Sequence, residues 1–194
     1  MTNGKEQKLY CPSCGEAVST YTIPSEAGVE LRCVTCGLSL SVESGPPPRG
    51  LGAIMVTDDD KLFRVLLSDL LTHRNLTAEV ITCDGGSQFL TRAVERLRQQ
   101  LPVRLAVLDI IMQPLDGVST ALALRAVERA FQAVHPIPFL FLSGARLDET
   151  LTKLLGQCRP AMYLNKGQDA TPDMLGPRLD IVIERLLAQE KAQS

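Results

Sequence analysis

The feature that most constrains this chain is an alternation, from residue 53 onward, of short apolar runs with longer amphipathic stretches. Near-continuous apolar runs such as L-A-V-L and F-L-F-L are typical of strands buried on both faces of a parallel sheet. The five runs are Ala53–Thr57, Ala78–Cys83, Arg104–Asp109, Pro138–Ser143 and Ala161–Asn165. The intervening stretches have the spacing of helices, and they are Lys61–Arg74, Ser87–Gln100, Val118–Val134, Asp148–Cys158 and Thr171–Gln189. Five strand–helix units predict an α/β domain with a doubly wound parallel sheet.

Polar residues end or directly follow four of the five predicted strands. In order, they are Asp58-Asp59-Asp60, Asp109, Ser143 and Lys166. Ligands of doubly wound sheets bind at the carboxyl ends of the strands, so these side chains are expected to form one site. Neighbouring carboxylates repel each other unless a cation joins them, and an oxygen-only ligand set with room for water favours Mg²⁺.

Asp109 has two chemical roles open to it, as a metal ligand or as a nucleophile that accepts a phosphoryl group to form an acyl phosphate. Lys166 and the metal would then neutralise the phosphoryl oxygens, and the Ser143 hydroxyl would hydrogen-bond to one of them. Taken singly, each residue has a simpler explanation: one aspartate of Asp58-Asp59-Asp60 as a helix cap, Asp109 as a helix or turn cap, Lys166 as a solvated side chain, Ser143 as a turn residue. The combination favours a magnesium site.

Four of the six cysteines form two Cys-x2-Cys pairs near the N-terminus. They are Cys11, Cys14, Cys33 and Cys36. This spacing is typical of a zinc ribbon, in which two tight turns supply a closed tetrahedral set of four thiolates. A redox-active dithiol is the alternative, which two symmetric pairs make the weaker interpretation. So few apolar residues lie around the cysteines that structural zinc would supply much of the folding energy.

The predicted ribbon has short strands at Val18–Ile23, Val29–Arg32 and Leu38–Val42. Residues 1–45 carry three basic and five acidic residues, so the ribbon has little charge with which to neutralise phosphates. We therefore expect its partner to be a protein, with nucleic acid the less favoured choice.

As a set, the motifs V-T-D-D-D-K-L-F-R, L-A-V-L-D-I-I-M-Q-P-L-D-G, F-L-F-L-S-G and Y-L-N-K resemble the receiver domain of two-component response regulators. The resemblance extends over roughly 140 residues, in order and at the expected intervals. It implies a flavodoxin-like fold with strand order 2-1-3-4-5.

The resemblance also implies a role for each site residue. Asp109 would be the phosphoacceptor. Asp59, Asp109 and the backbone carbonyl of Ile111 would hold Mg²⁺, with Asp58 acting mainly through water. Lys166 would pair with the phosphoryl group, and Ser143 would be the switch hydroxyl, with rotation of Tyr163 reporting its state.

The implied phosphodonor is a phosphohistidine on a sensor histidine kinase or phosphotransfer protein, and the implied output is a downstream protein partner or a homodimer. The chain is not expected to be an enzyme beyond its own phosphotransfer and slow dephosphorylation. Gln113 and Gly167 stand where the family usually has proline. The alternatives are a receiver-like scaffold that is never phosphorylated, a nucleic-acid regulator acting through the ribbon, and a small phosphatase-like hydrolase.

The expected domain organisation is a zinc ribbon at 1–44, a proline- and glycine-rich linker at 45–52 and a receiver domain at 53–194. The 20 basic and 22 acidic residues nearly balance, which does not indicate a dedicated nucleic-acid binder. The sequence contains neither a long apolar run nor an apolar N-terminal segment, so we expect a cytoplasmic protein without a membrane span.

Overall fold

The computed structural model describes residues 8–25, 28–40, 52–74, 76–77, 79–167 and 171–191. The N-terminal part of the described chain forms small antiparallel hairpins, and the part from residue 53 onward forms an α/β sandwich. No helix within these residues is both long enough and apolar enough to span a bilayer.

The five predicted strands form one parallel sheet, as the sequence indicated. They are β5 (Ala53–Thr57), β6 (Val80–Cys83), β7 (Val103–Asp109), β8 (Phe139–Ser143) and β9 (Ala161–Asn165). Their order in space is β6-β5-β7-β8-β9, which confirms the predicted flavodoxin-like order. Every residue of β5 and β8 is buried, as expected for strands covered on both faces.

Helices follow each strand, and three of them begin at an aspartate. The helices are α1 (Lys61–His73), α2 (Gly86–Arg98), α3 (Gly117–Ala130), α4 (Glu149–Gly156) and α5 (Pro172–Lys191). The carboxylates of Asp60, Asp116 and Asp148 accept hydrogen bonds from first-turn amides, which leaves short loops between strand ends and helices. Helix α3 is shorter than predicted because Gln132 adopts a left-handed backbone conformation (φ 53°) just after it.

The sheet separates two apolar layers. Along β7, Leu105 and Val107 contribute to the layer with α1 and α5, whereas Ala106 and Leu108 contribute to the layer with α2, α3 and α4. This alternation follows from the two-residue period of a strand. Buried residues of the N-terminal hairpins, such as Cys11, join the layer that contains α5.

Two antiparallel hairpins make up the predicted ribbon. The first pairs β1 (Leu9–Cys11) with β2 (Glu16–Val18), and the second pairs β3 (Thr20–Ser25) with β4 (Gly28–Cys33). The first hairpin was not predicted, and the predicted strand at Leu38–Val42 appears, within residues 38–40, only as a single bridge between Ser39 and Arg32. Residues 41 and 42 lie outside the described chain, as does the predicted linker 45–52 apart from Gly52.

Candidate functional site

The parallel sheet places the predicted acidic residues and Lys166 at one edge. Asp58 follows β5, Asp109 ends the neighbouring β7, and Lys166 follows β9. The Lys166 Nζ lies 2.7 Å from an Asp58 carboxylate oxygen and 3.1 Å from an Asp109 carboxylate oxygen. The same ammonium lies 4.2 Å from the centre of the Phe63 ring, so a cation–π contact also holds it at this edge.

The acidic triplet divides into two kinds of carboxylate. Oxygens of Asp58, Asp59 and Asp109 all lie within 4.8 Å of one another, close enough to share one ion. The Asp60 carboxylate is used differently, because it accepts a hydrogen bond of 2.8 Å from the Leu62 amide at the start of α1. Three converging carboxylates suit the hard oxygen coordination of Mg²⁺, and the exposure of Asp59 leaves room for coordinating water.

Asp109 is 7% exposed and has an altered acidity. Burial raises its pKa above the usual aspartate value, the Lys166 ammonium opposes that shift, and the Asp58 carboxylate adds to it. A backbone hydrogen bond at Ile111 also lowers the pKa of Asp109. One ammonium therefore neutralises only part of a site with three carboxylates, which favours occupation by a divalent cation. The proposed use of the Ile111 carbonyl as a ligand stays a prediction.

Ser143 and Tyr163 lie beside this site and are linked through Ala145. The Ser143 hydroxyl accepts a hydrogen bond of 3.1 Å from the Ala145 amide, and the Ser143 carbonyl accepts one of 2.8 Å from the Lys166 amide. The Tyr163 hydroxyl donates to the Ala145 carbonyl. The predicted switch residues therefore lie on the neighbouring strands β8 and β9, and both form hydrogen bonds to the backbone of Ala145.

Two residues of this region were missed by sequence reasoning. Asn165 donates from its side-chain amide to the Ala145 carbonyl at 2.8 Å, and its position as a polar residue ending a buried strand was the available signal. Gly117 lies where an added Cβ would be 2.1 Å from the Asp109 carbonyl oxygen. The absence of a side chain there lets α3 begin against the end of β7.

The four cysteines of the two pairs converge in the ribbon. The Cys11 and Cys36 sulfurs are 3.5 Å apart, and the Cys14 and Cys33 sulfurs are 3.8 Å apart. A disulfide needs about 2.05 Å between sulfurs, whereas tetrahedral zinc with Zn–S bonds of about 2.3 Å separates its ligand sulfurs by about 3.8 Å. The geometry therefore fits a four-thiolate metal site.

The two remaining cysteines, Cys83 and Cys158, are buried away from this cluster. Burial raises the pKa of the Cys83 thiol to about 11, and it also raises the pKa of Cys158. Both therefore stay protonated at neutral pH and act as small apolar core residues.

Comparison with solved structures identifies the fold. No family model matches the sequence, and no curated protein matches it significantly. Solved structures do match. The receiver domain of the histidine kinase CKI1 from Arabidopsis thaliana, complexed with Mg²⁺ and BeF3⁻, aligns with 73% of this chain and 90% of its own, at TM-score 0.57 and 20% identity. The fold is that of a receiver domain.

Two bacterial structures give the same result. The Vibrio cholerae chemotaxis protein CheY4 aligns with 67% of this chain and 97% of its own, at TM-score 0.51 and 18% identity. A response regulator receiver domain from Clostridium thermocellum aligns with 74% of this chain and 100% of its own, at TM-score 0.52 and 16% identity. At these identities the likeness establishes the receiver fold, and the chemistry of this chain rests on its own residues.

Proposed function

We propose that this protein is a two-component response regulator in which Asp109 accepts a phosphoryl group in a Mg²⁺-dependent reaction. The observation that carries the proposal is the contact of the Lys166 ammonium with the carboxylates of both Asp58 and Asp109, at 2.7 and 3.1 Å. This arrangement sets a nucleophilic carboxylate beside a fixed cation and a carboxylate cluster suited to Mg²⁺.

The phosphodonor is a phosphohistidine of a sensor histidine kinase or a phosphotransfer protein. An Asp109 carboxylate oxygen forms a bond to phosphorus as the phosphorus–nitrogen bond of the donor breaks. The imidazole leaves with the electron pair of that bond and takes up a proton from solvent. The product on this chain is an acyl phosphate.

Each neighbouring side chain has a separate task in that transfer. Asp59, Asp109 and the carbonyl of Ile111 would hold Mg²⁺, with Asp58 acting mainly through water, and the ion would supply charge neutralisation at the phosphoryl oxygens. Lys166 offers its ammonium to the same oxygens. Ser143 donates its hydroxyl to one of them, and Tyr163 responds because both residues bond to Ala145.

The cysteine cluster completes the proposal as a structural Zn²⁺ site held by Cys11, Cys14, Cys33 and Cys36. A closed set of four thiolates leaves no open position for catalysis, so its role is to fold the ribbon. The output of the protein is an interaction with another protein, controlled by the state of Asp109.

The test is the intact mass of the full, zinc-loaded chain after incubation with acetyl phosphate, with and without Mg²⁺. We expect the gain of one phosphoryl group only with Mg²⁺, and no gain in Asp109→Asn. Asp59→Asn removes a proposed metal ligand and is expected to slow the reaction at limiting Mg²⁺, with a smaller effect at saturating Mg²⁺.

Asp60→Asn is the matched control, because asparagine caps a helix as well as aspartate does and the Asp60 carboxylate is used at α1. It is expected to be phosphorylated like the unaltered protein. A chain that gains no phosphoryl group with Mg²⁺ present is instead a receiver-like scaffold, and steady turnover of a phosphate ester identifies a hydrolase.

A further inference from the structure

The ribbon is docked on the receiver through its first cysteine turn, the segment Cys11–Cys14. Pro12 and Ser13, between the two cysteines, are both buried, and Ser13 is only 2% exposed. The Ser13 carbonyl accepts a hydrogen bond of 2.8 Å from the Asn165 amide, and the Ser13 hydroxyl donates to the Tyr163 carbonyl. The turn thereby satisfies backbone groups of β9, which is an edge strand of the sheet.

Arg178 of α5 also binds this turn through hydrogen bonds from its guanidinium. Its guanidinium donates to the Pro12 carbonyl at 2.8 Å, to the Asn165 carbonyl at 2.6 Å and to the Ser13 carbonyl at 3.4 Å. The residue is 8% exposed, so this cation depends on those three carbonyls rather than on water. It approaches the turn so closely that a Cβ on Gly15 would lie 2.7 Å from the guanidinium.

The end of β9 contacts both the ribbon and the acidic site, through Asn165 and through Lys166, which directly follows the strand. The Asn165 main chain bonds to Ser13, while its side-chain amide bonds to Ala145 at 2.8 Å. The next residue, Lys166, donates its amide to the Ser143 carbonyl and its ammonium to the two buried aspartates. The consecutive residues Asn165 and Lys166 therefore join the phosphoacceptor site to the buried face of the cysteine turn.

We propose that the ribbon is an intramolecular regulatory ligand of the receiver, docked on β9 and α5 before phosphorylation and released when Asp109 is phosphorylated. This proposal rests on the proposed function. A phosphoryl group on Asp109 recruits the Ser143 hydroxyl, which in this structure is bonded to the Ala145 amide. Movement of Ala145 disturbs its bonds to Tyr163 and Asn165, the two residues that hold Ser13.

Release has a consequence for the downstream partner. The ribbon covers the Tyr163 carbonyl, the Asn165 amide and the Arg178 guanidinium, and all three become available when it leaves. A protein that places an extended segment on the β9 edge can then take the place of the turn. Coupling is reciprocal, so a partner that keeps the ribbon undocked from β9 and α5 also favours the phosphorylated state.

The test is amide hydrogen exchange by mass spectrometry on the full, zinc-loaded chain, with acetyl phosphate and Mg²⁺. Exchange is followed in peptides covering residues 9–18 and 161–167, and phosphorylation is measured on the same samples. We expect exchange in both peptides to rise about 5- to 150-fold on phosphorylation, which is the factor that typical coupling free energies produce. Asp109→Asn should show no change under the same treatment.

Arg178→Ala supplies the released reference and should exchange rapidly without phosphodonor, with Ser13→Ala as the milder variant if Arg178→Ala fails to fold. The matched control is Arg146→Ala, since Arg146 makes an exposed ion pair of 2.8 Å with Glu16 across the same junction. It should exchange like the unaltered protein. Full phosphorylation with unchanged exchange overturns this inference and leaves the proposed function intact, whereas a chain that cannot be phosphorylated overturns both.

Discussion

The two cysteine turns of the ribbon are alike in sequence and backbone, yet they face different surroundings. Gly15 and Gly37 end them with φ of 76° and 74°, and each glycine amide bonds to the carbonyl of the first cysteine, at 2.8 and 2.9 Å. In the first turn, Pro12 and Ser13 are buried against β9 and α5. In the second, Val34 and Thr35 occupy the same positions and are exposed.

The difference separates two properties that a Cys-x2-Cys-Gly motif combines. The cysteines and the glycine specify a turn that directs two sulfurs toward the other pair, and both turns have this geometry. The two residues between the cysteines determine whether the turn has a second partner. Of the two described turns, only the first has a serine between its cysteines. This residue, Ser13, bonds to Tyr163 and Asn165 of β9.

Loss of the metal is expected to have the largest effect and to treat both turns alike. Cys11→Ser and Cys33→Ser should each abolish zinc binding, and with it about 10 kcal/mol of apparent folding free energy in the ribbon. The parallel sheet should remain folded, because its core layer with α2, α3 and α4 contains no ribbon residue. Zinc content and amide exchange in β3 and β4 check this, and protected ribbon amides without metal would contradict it.

Loss of the Arg178 side chain should destabilise the docked turn and leave the exposed turn unaffected. Arg178→Ala leaves carbonyls of Pro12 and Asn165 without their buried donor, and we expect a loss of about 3 kcal/mol in unfolding free energy. Arg146→Ala should cost less than about 1 kcal/mol, because its ion pair with Glu16 is solvent-exposed. Urea unfolding of both variants measures the difference, and equal costs would show that the docking is not held by Arg178.

The two glycines give a direct comparison of the turns. Gly37→Ala should cost about 1 kcal/mol, since alanine disfavours the left-handed conformation and, among the described residues other than its two neighbours, no atom lies within 4 Å of the added Cβ. Gly15→Ala adds a clash with Arg178 and should cost about 2 kcal/mol. Thermal unfolding with bound zinc tests this pair. If both variants are destabilised equally, the close approach of Arg178 to Gly15 does not add to the loss of stability in Gly15→Ala.

The smallest effect is expected at the middle of each turn. Ser13→Ala removes the hydroxyl that donates to the Tyr163 carbonyl and should cost about 1 kcal/mol. Thr35→Ala, at the equivalent exposed position, should change stability by less than about 0.5 kcal/mol. A larger loss in Thr35→Ala than in Ser13→Ala, in matched urea titrations, would reverse the assignment of the docked and exposed turns.

The sheet was predictable because its signals are local. The bounds of β5 and β9 match the predicted runs, since polar residues end each apolar run, and the strand ends then bring Asp58, Asp109 and Lys166 together. The first hairpin was missed because β1 and β2 have only three residues each, too few to show an alternation. Arg178 and Ser13 are 165 positions apart, so nothing in the local sequence indicates that they meet.

The central claim is that Asp109 carries the phosphoryl group. Borohydride reduces an acyl phosphate to an alcohol with loss of phosphate, which converts a phosphorylated aspartate into homoserine. After incubation with acetyl phosphate and Mg²⁺, reduction and peptide sequencing by mass spectrometry, we predict homoserine at position 109 and aspartate at positions 58, 59 and 60. Homoserine at any of those three positions, or unmodified aspartate at all four, would contradict the account.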